Sequence, residues 1–458
     1  MLSVSVKLRR LRFWWRLFWA YIKKYQLRFA ATLIVILALG LSTFKIWQVI
    51  SRGNLISIGY VGSYTIENIP TEILGLVTQP LISANERGEP VPLLASHWTV
   101  SEDTKTYVVF LKDNLSWHDS TPVDAANISL AISNVQITAL NNKAIEFKLP
   151  NPIASFPQAL NKPIFKVNTY YGTGEYRIVK IDQVDNFVKK MVLHPKNPNL
   201  PQVEIKFYKD QLQLASALKI GEVKYANITS AQKFQTWPNF SLDKQTDFSQ
   251  IVTIFFNNKD PLLSSKDLRQ ALSYAINKTE FDGESADSPI SPKSWAYNNN
   301  VKHYTYNSGK AKELLSKLPK SNPKITLSVT PGLEEIANKI KSDWEAVGIT
   351  VSLENISATP KNYQALLAFN KISPDPDQYS LWHSTQTETN ITNYQNVKVD
   401  KLLEDARVTY NQDERKKLYA DFQGTLVDDA PAAFLYHPYK YKVVYKNIQS
   451  LVAKLPVQ

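Results

Sequence analysis

The chain has 458 residues, a hydrophobic fraction of 44% and a formal net charge of +12; the length allows two or three globular units or one large two-lobed body, and the apolar content excludes a disordered chain. Eight positive charges (Lys7, Arg9, Arg10, Arg12, Arg16, Lys23, Lys24 and Arg28) stand in residues 1–28 with no acid among them, and subtracting them from +12 leaves +4 for the rest. So neutral a body excludes nucleic-acid binding by clustered charge, and the absence of cysteine excludes disulfides, thiolate metal sites, a cysteine nucleophile and a lipid-modified N-terminal cysteine.

Residues 1–28 form a basic segment in which Trp14, Trp15, Phe18 and Trp19 alternate with cations, the composition of an amphipathic stretch lying on the inner leaflet. Phe29 to Phe44 carry no charge; Lys45 interrupts and Ile46–Ile50 resume the apolar run. A helix over residues 29–50 would span roughly 33 Å, enough to cross a bilayer core. Lys45 could snorkel to the far interface beside Trp47. The preceding cations predict a cytoplasmic N-terminus and place everything after about residue 51 outside the cell membrane. A cleaved signal peptide is the alternative, but its charged leader would be long and no small-x-small cleavage site follows. The expectation is a single-pass, uncleaved anchor.

After the short joint Ser51–Asn54 there is no low-complexity linker and no repeat of 20–50 residues, and 25 prolines punctuate the turns. Thr106–Leu111 reads as a strand. Thr121-Pro122-Val123-Asp124 reads as a helix start, with a hydroxyl cap, an early proline and an acid to match the dipole. Ser264, with Asp267 three residues on, opens a second helix carrying Leu268, Leu272, Ala275 and Ile276 on one face. Between Lys324 and Asn355 the period changes from two (Ile325, Leu327, Val329) to helical (Ile336, Ile340, Trp344, Val347). Gly348 then stops the helix and the alternation resumes at Ile349, Val351 and Leu353, which predicts a βαβ unit with parallel strands. A last long helix runs from about Gln412 to Val427, with Leu418, Phe422 and Leu426 inward, and ends before Pro431. The body is α/β.

Motifs for chemistry are missing. The six histidines (His97, His118, His194, His303, His383, His437) show no zinc-helix spacing, and there is no EF-hand, nucleophile elbow, Walker loop or dinucleotide fingerprint. Ser321-x-x-Lys324 matches the serine acyl-enzyme pair in form only, since it introduces a strand rather than a helix. Asp375-Pro376-Asp377 sets two acids close enough to perturb one another, although glycosidase chemistry would need a partner across a cleft. No catalytic residue, metal site or cofactor is expected, and the chain reads as a binding protein rather than an enzyme.

One ordered series of motifs goes further. Pro92–Asp103, Lys105-Thr106-Tyr107 and Trp117–Val123 are followed by Tyr171–Tyr176, Phe256-Asn257-Asn258, Leu268–Lys278 and Ser291–Asn298. Val347–Val351, Asp375-Pro376-Asp377 and Phe434-Leu435-Tyr436 complete the series. Each is weak alone; together, over nearly all of residues 54–458, they resemble the family 5 extracellular solute-binding proteins, the dipeptide- and oligopeptide-binding receptors of ABC importers. The resemblance implies a two-lobed periplasmic-binding-protein-like fold, here preceded by a single transmembrane helix. Lobe I would take residues 54–250 and 437–458, lobe II residues 251–436, and the lobes would close over a solute.

The sequence also departs from the family. Thr121 to Tyr171 is shorter than usual, leaving little room for the helices that decorate the first lobe. Peptide-binding members carry an aspartate just upstream of the paired acids that holds the ligand's α-amino group; Ile372 stands there, and Asp375 is the carboxylate that could replace it. The resemblance points to Asp375, Asp377, Trp382, Trp295 and Asn257 as ligand-binding residues; for the tryptophans the competing role is core packing, and for the aspartates turn and helix capping. Arg269 and Tyr436 are expected to be structural. The implied partners are a short peptide or similar polar solute, an ABC permease, and the membrane through the N-terminal helix. The alternative is a surface sensor or protein-docking module that kept the fold without transport.

Overall fold

In the computed structural model, residues 13–17, 19–21, 23–25, 54–230, 234–318, 322–358 and 362–456 are described. Strand β1 (Leu55–Val61) opens the body with four consecutive buried residues, the pattern of a parallel strand covered on both faces. Four strands, β2 (Ala95–Val100), β3 (Thr106–Leu111), β4 (Gln136–Asn141) and β5 (Ala144–Lys148), form a separate antiparallel sheet in the order β2-β3-β5-β4. Strict alternation on β3 turns Tyr107, Val109 and Leu111 onto a core with Trp117, Phe147 and Phe156.

The remaining strands are β6 (Tyr176–Val184), β7 (Phe187–Pro195), β8 (Gln202–Tyr208), β9 (Tyr225–Ile228), β10 (Phe240–Thr246) and β11 (Gln250–Phe256). After them come β12 (Gly283–Ser285), β13 (Lys324–Val329), β14 (Thr350–Asn355), β15 (Ala365–Lys371) and β16 (Ala432–Tyr445). With β1 they make one twelve-stranded sheet in the order β6-β7-β8-β1-β9-β16-β11-β15-β13-β14, with β10 and β12 also pairing with β16. The fourteen-residue β16 is the shared element. Its first half pairs with β11 and β12, and its second half with β9 and β10. The chain therefore passes between the two portions of the sheet twice, once along β16 near Pro438 and once through the residues joining β10 to β11, where Asp247 N–H donates to Pro438 O at 2.8 Å.

Each portion has its own core. On β11, Val252, Ile254 and Phe256 face one cluster with Leu272, Ile340 and Trp344, while Ile251 and Phe255 face another with Trp295, Trp382 and Phe422. The other portion is filled by Ile56, Met191 and Ile205 on one side and by Leu214, Val223 and Phe240 on the other. The βαβ unit forms as its periodicity predicts: β13 and β14 are parallel, the helix Glu334–Ala346 lies between them, and Gly348 ends it at φ +95°. The last long helix runs from Gln412 to Asp429 and stops at left-handed Ala430, ahead of Pro431.

Two predicted starts are corrected. Thr121–Asp124 opens no α-helix. Asp124 accepts the Ala126 N–H at 2.9 Å and caps a single 3-10 turn, Ala125–Asn127, after which the chain pairs as a strand with Phe165–Lys166. Beyond that turn Ile128, Leu130 and Ile132 all pack against the small-sheet core from non-helical chain, whereas a helix would turn Leu130 to the face opposite Ile128 and Ile132. Between Thr121 and Tyr171 the one α-helix among the described residues is the four-residue Phe156–Ala159. The second helix begins one residue later than expected: Ser265, not Ser264, accepts the Leu268 N–H, and Ser264 donates instead to Pro261 O. Arg269, one turn into that helix, is buried and ties its start to the end of Gln412–Asp429 through the Leu263, Asp429 and Ala430 carbonyls.

The expected anchor, residues 29–50, lies outside the described residues. Among those described, no helix is long and apolar enough to cross a membrane. Phe13, Trp14, Trp15, Trp19 and Tyr21 in the basic segment are helical and largely exposed.

A candidate solute site at the seam between the two sheets

Asp375 and Asp377 sit in a turn that their own carboxylates organise. Asp375 Oδ1 accepts the Asp377 N–H at 2.9 Å, Asp377 Oδ1 accepts the Tyr379 N–H at 3.0 Å, and the short helix Tyr379–Trp382 follows. Two arginines complete the arrangement. Arg415 reaches Asp375 at 3.1 and 3.4 Å, both side chains being almost fully buried, and its guanidinium lies over the rings of Trp295 and Tyr419. Arg407 Nε reaches Asp377 Oδ2 at 3.0 Å and lies over Tyr379. Burial pushes the Asp375 carboxyl above its ordinary value, against the pull of Arg415.

The small sheet approaches this turn closely. Ala154 N–H donates to Arg407 O at 2.7 Å and Ser155 Oγ to Asp377 Oδ2 at 3.4 Å. Trp295 N–H donates to Arg87 O at 2.9 Å, and Gln158 Nε2 to Gly88 O at 2.8 Å within the small-sheet side. Gly88 has φ +78°, and a Cβ there would run into the Pro374 carbonyl, so the turn bearing it lies against the Asp375 loop only because it is glycine. Beside these contacts the seam forms a half-open cavity of about 530 Å³. Val135, Leu149, Ile153 and Phe156 line it from the small sheet, and Ser373, Asp375, Asp377 and Ser380 from the opposite side.

Of the residues singled out in the sequence, the structure therefore brings Asp375 and Asp377 to this cavity and leaves the other three elsewhere. Trp382 is fully buried between Phe255 and Phe434. Trp295, 4% exposed, packs edge-on against Tyr419. Asn257 spends its side chain on the Tyr363 carbonyl and on Asn393. Tyr436, expected to be structural, lies on β16 and is buried in the core. Sequence reasoning missed both arginines. Arg415 left a trace, a charge on the same helical stripe as Tyr419, Phe422 and Leu426; Arg407, in the last turn of Val397–Val408, looks like ordinary dipole matching and left none. Two of the recognised motifs do meet: His118 Nδ1 accepts the Gly172 N–H and Nε2 contacts Gly174 O, both at 3.1 Å. Neither glycine has room for a side chain against the Val77 backbone.

Comparison with known proteins places this geometry. The profile of the bacterial extracellular solute-binding proteins, family 5, matches residues 89–135 and 126–393. The oligopeptide-binding protein AppA of Bacillus subtilis is 26% identical over 402 residues, covering 80% of this chain and 70% of its own. Among solved structures, CtaP of Listeria monocytogenes, an ABC transporter substrate-binding protein, superposes with a TM-score of 0.74 at 22% identity over 85% of this chain and 94% of its own. NikZ of Campylobacter jejuni, solved with Ni(L-His), superposes with a TM-score of 0.71 at 23% identity over 86% and 94%. These likenesses establish a two-lobed α/β periplasmic-binding-protein fold. The family is one of binding proteins and not of enzymes, in agreement with the missing catalytic motifs. The chain belongs to the family 5 bacterial extracellular solute-binding proteins.

Proposed function

We propose that the chain is a membrane-tethered extracytoplasmic receptor that captures a short peptide or similar polar solute and hands it to an ABC permease. Lobe I comprises residues 54–250 and 437–458, lobe II residues 251–436, and the transmembrane helix over residues 29–50 holds both outside. The observation that carries the reading is the cavity of about 530 Å³ at the seam, within the roughly 300–1,000 Å³ usual for small-molecule sites. Asp375 and Asp377 shape its wall on the lobe II side. Trp295, Trp382 and Asn257 act from behind it, as packing and turn residues.

Thermal unfolding of the full-length protein in detergent, against di- to pentapeptides and sugars, tests the binding claim: at least one solute should raise the melting temperature in a concentration-dependent way. If none does, the receptor reading fails. The tether is tested separately, since carbonate-washed membranes should retain the intact chain, and release by carbonate would remove the anchor. Ile372, in place of the amine-pairing acid, favours a second reading as a surface sensor or docking protein. Recovery of an envelope or signalling protein without a permease in cross-linked membranes would support that one.

A further inference from the structure

The seam cavity has an unusual electrostatic character for a site bounded by two carboxylates. Asp375 accepts from the Arg415 guanidinium and the Asp377 N–H, and Asp377 from Arg407 and the Tyr379 N–H. Apart from the long Ser155 Oγ contact to Asp377 Oδ2, the partners belong to the same side of the seam, so both ion pairs are complete before any guest arrives. No Lys, Arg or His side chain lines the cavity among the described residues. What remains is apolar surface from Ile132, Val135, Leu149, Ile153 and Phe156, with neutral polar groups from Ser133, Asn134, Ser373 and Ser380. Those four side chains have no hydrogen-bond partner among the described residues and can serve a guest's amides or hydroxyls.

A guest bearing a free ammonium or carboxylate would lose part of its hydration to the apolar wall with no unpaired counter-charge to meet it. Breaking either existing ion pair to supply one would leave its arginine unpaired instead. We propose, on the reading of this cavity as the guest site, that it selects an uncharged guest: an amide-bearing molecule with apolar side groups, such as an end-blocked peptide, and discriminates against zwitterions.

Calorimetry on the full-length protein in detergent, with Leu-Ala-Leu as the free zwitterion and as its N-acetyl, C-amide form, tests this. The blocked form should bind at least about tenfold more tightly; equal or tighter binding of the zwitterion overturns the proposal. If neither binds while another peptide or sugar does, the proposed class is wrong and the receptor reading survives. If nothing binds, both fall. The Asn134→Asp variant adds an unpaired carboxylate to the wall with almost no change of shape. It should narrow or reverse the gap between the N-acetyl amide and its free-amine counterpart, and an unchanged gap would show that the guest does not sit in this cavity.

Discussion

Arg415 lies 7% exposed against an equally buried Asp375, with Trp295 and Tyr419 closing over the guanidinium. Such a pair contributes little net stability, yet breaking it leaves one buried charge alone, at a cost of about 3–5 kcal/mol. Arg415→Met is accordingly expected to lower the unfolding free energy by about that much, and Arg415→Met with Asp375→Leu to recover most of it. Urea unfolding followed by tryptophan fluorescence reads both, and a loss below about 1 kcal/mol for the single variant would mean that water reaches the pair. At this scale the sequence was only half legible. The Asp-Pro-Asp turn announces its aspartates, but their partners lie 30 and 40 residues further along the chain. A carboxylate awaiting a ligand and one held by a distant arginine look the same in sequence, because pairing depends on where two helices come to rest.

Among the elements, the turn carrying Gly88 has the most direct bearing on the seam. Its left-handed φ and the nearby Pro374 carbonyl both exclude a side chain. Gly88→Ala should push the turn off the Asp375 loop, loosen the Trp295–Arg87 and Gln158–Gly88 hydrogen bonds, and destabilise the fold by about 1 kcal/mol or more. Affinity for whichever solute the panel identifies should fall with it. If melting temperature and affinity both match the parent protein, the turn plays no part in shaping the cavity. Elements with a strong period were readable in advance: β13, its helix and β14 follow their alternation and their 3.6-residue stripe, with Gly348 as the stop. The stretch after Thr121 was misread because cap residues look alike before a 3-10 turn and before a full helix. What decides between them is tertiary packing: Ile128, Leu130 and Ile132 all reach the small-sheet core, which one helix face could not achieve.

For the molecule as a whole, two histidines couple stability to pH. His437, 1% exposed beneath Phe248, contacts the Gln250 carbonyl at 2.9 Å; burial lowers its pKa against the smaller opposing influence of that carbonyl, Glu284 and Asp247. His118 is likewise lowered by burial, aided by Lys196 and Arg177 and opposed by the Gly174 carbonyl and Asp119. Its Nδ1 accepts the Gly172 N–H, so a proton there would end that hydrogen bond. Both folded values lie below the unfolded 6.5, so below that pH the unfolded chain binds more protons and stability falls. Melting temperature should therefore be level above about pH 7 and decline from roughly pH 6.5 downward. A flat profile from pH 8 to 5 would show that neither ring stays neutral in the fold. Asp119, held down to about 2 by its hydrogen bonds to Lys166 and Thr121, adds to the loss only in much stronger acid.

Composition and periodicity by themselves determined that the body is α/β, nearly neutral and free of cysteine chemistry, and that its basic excess sits at the N-terminal end. Those properties depend on which residues are present and on their local spacing, which a linear chain displays directly. Tertiary structure alone decided that β16 runs through both portions of the sheet and that the paired aspartates are already matched by arginines. It also decided that Trp295 and Trp382 fill cores rather than face the cavity. Each of these is set by contacts between segments far apart in the chain, and burial and charge pairing arise only once those segments meet.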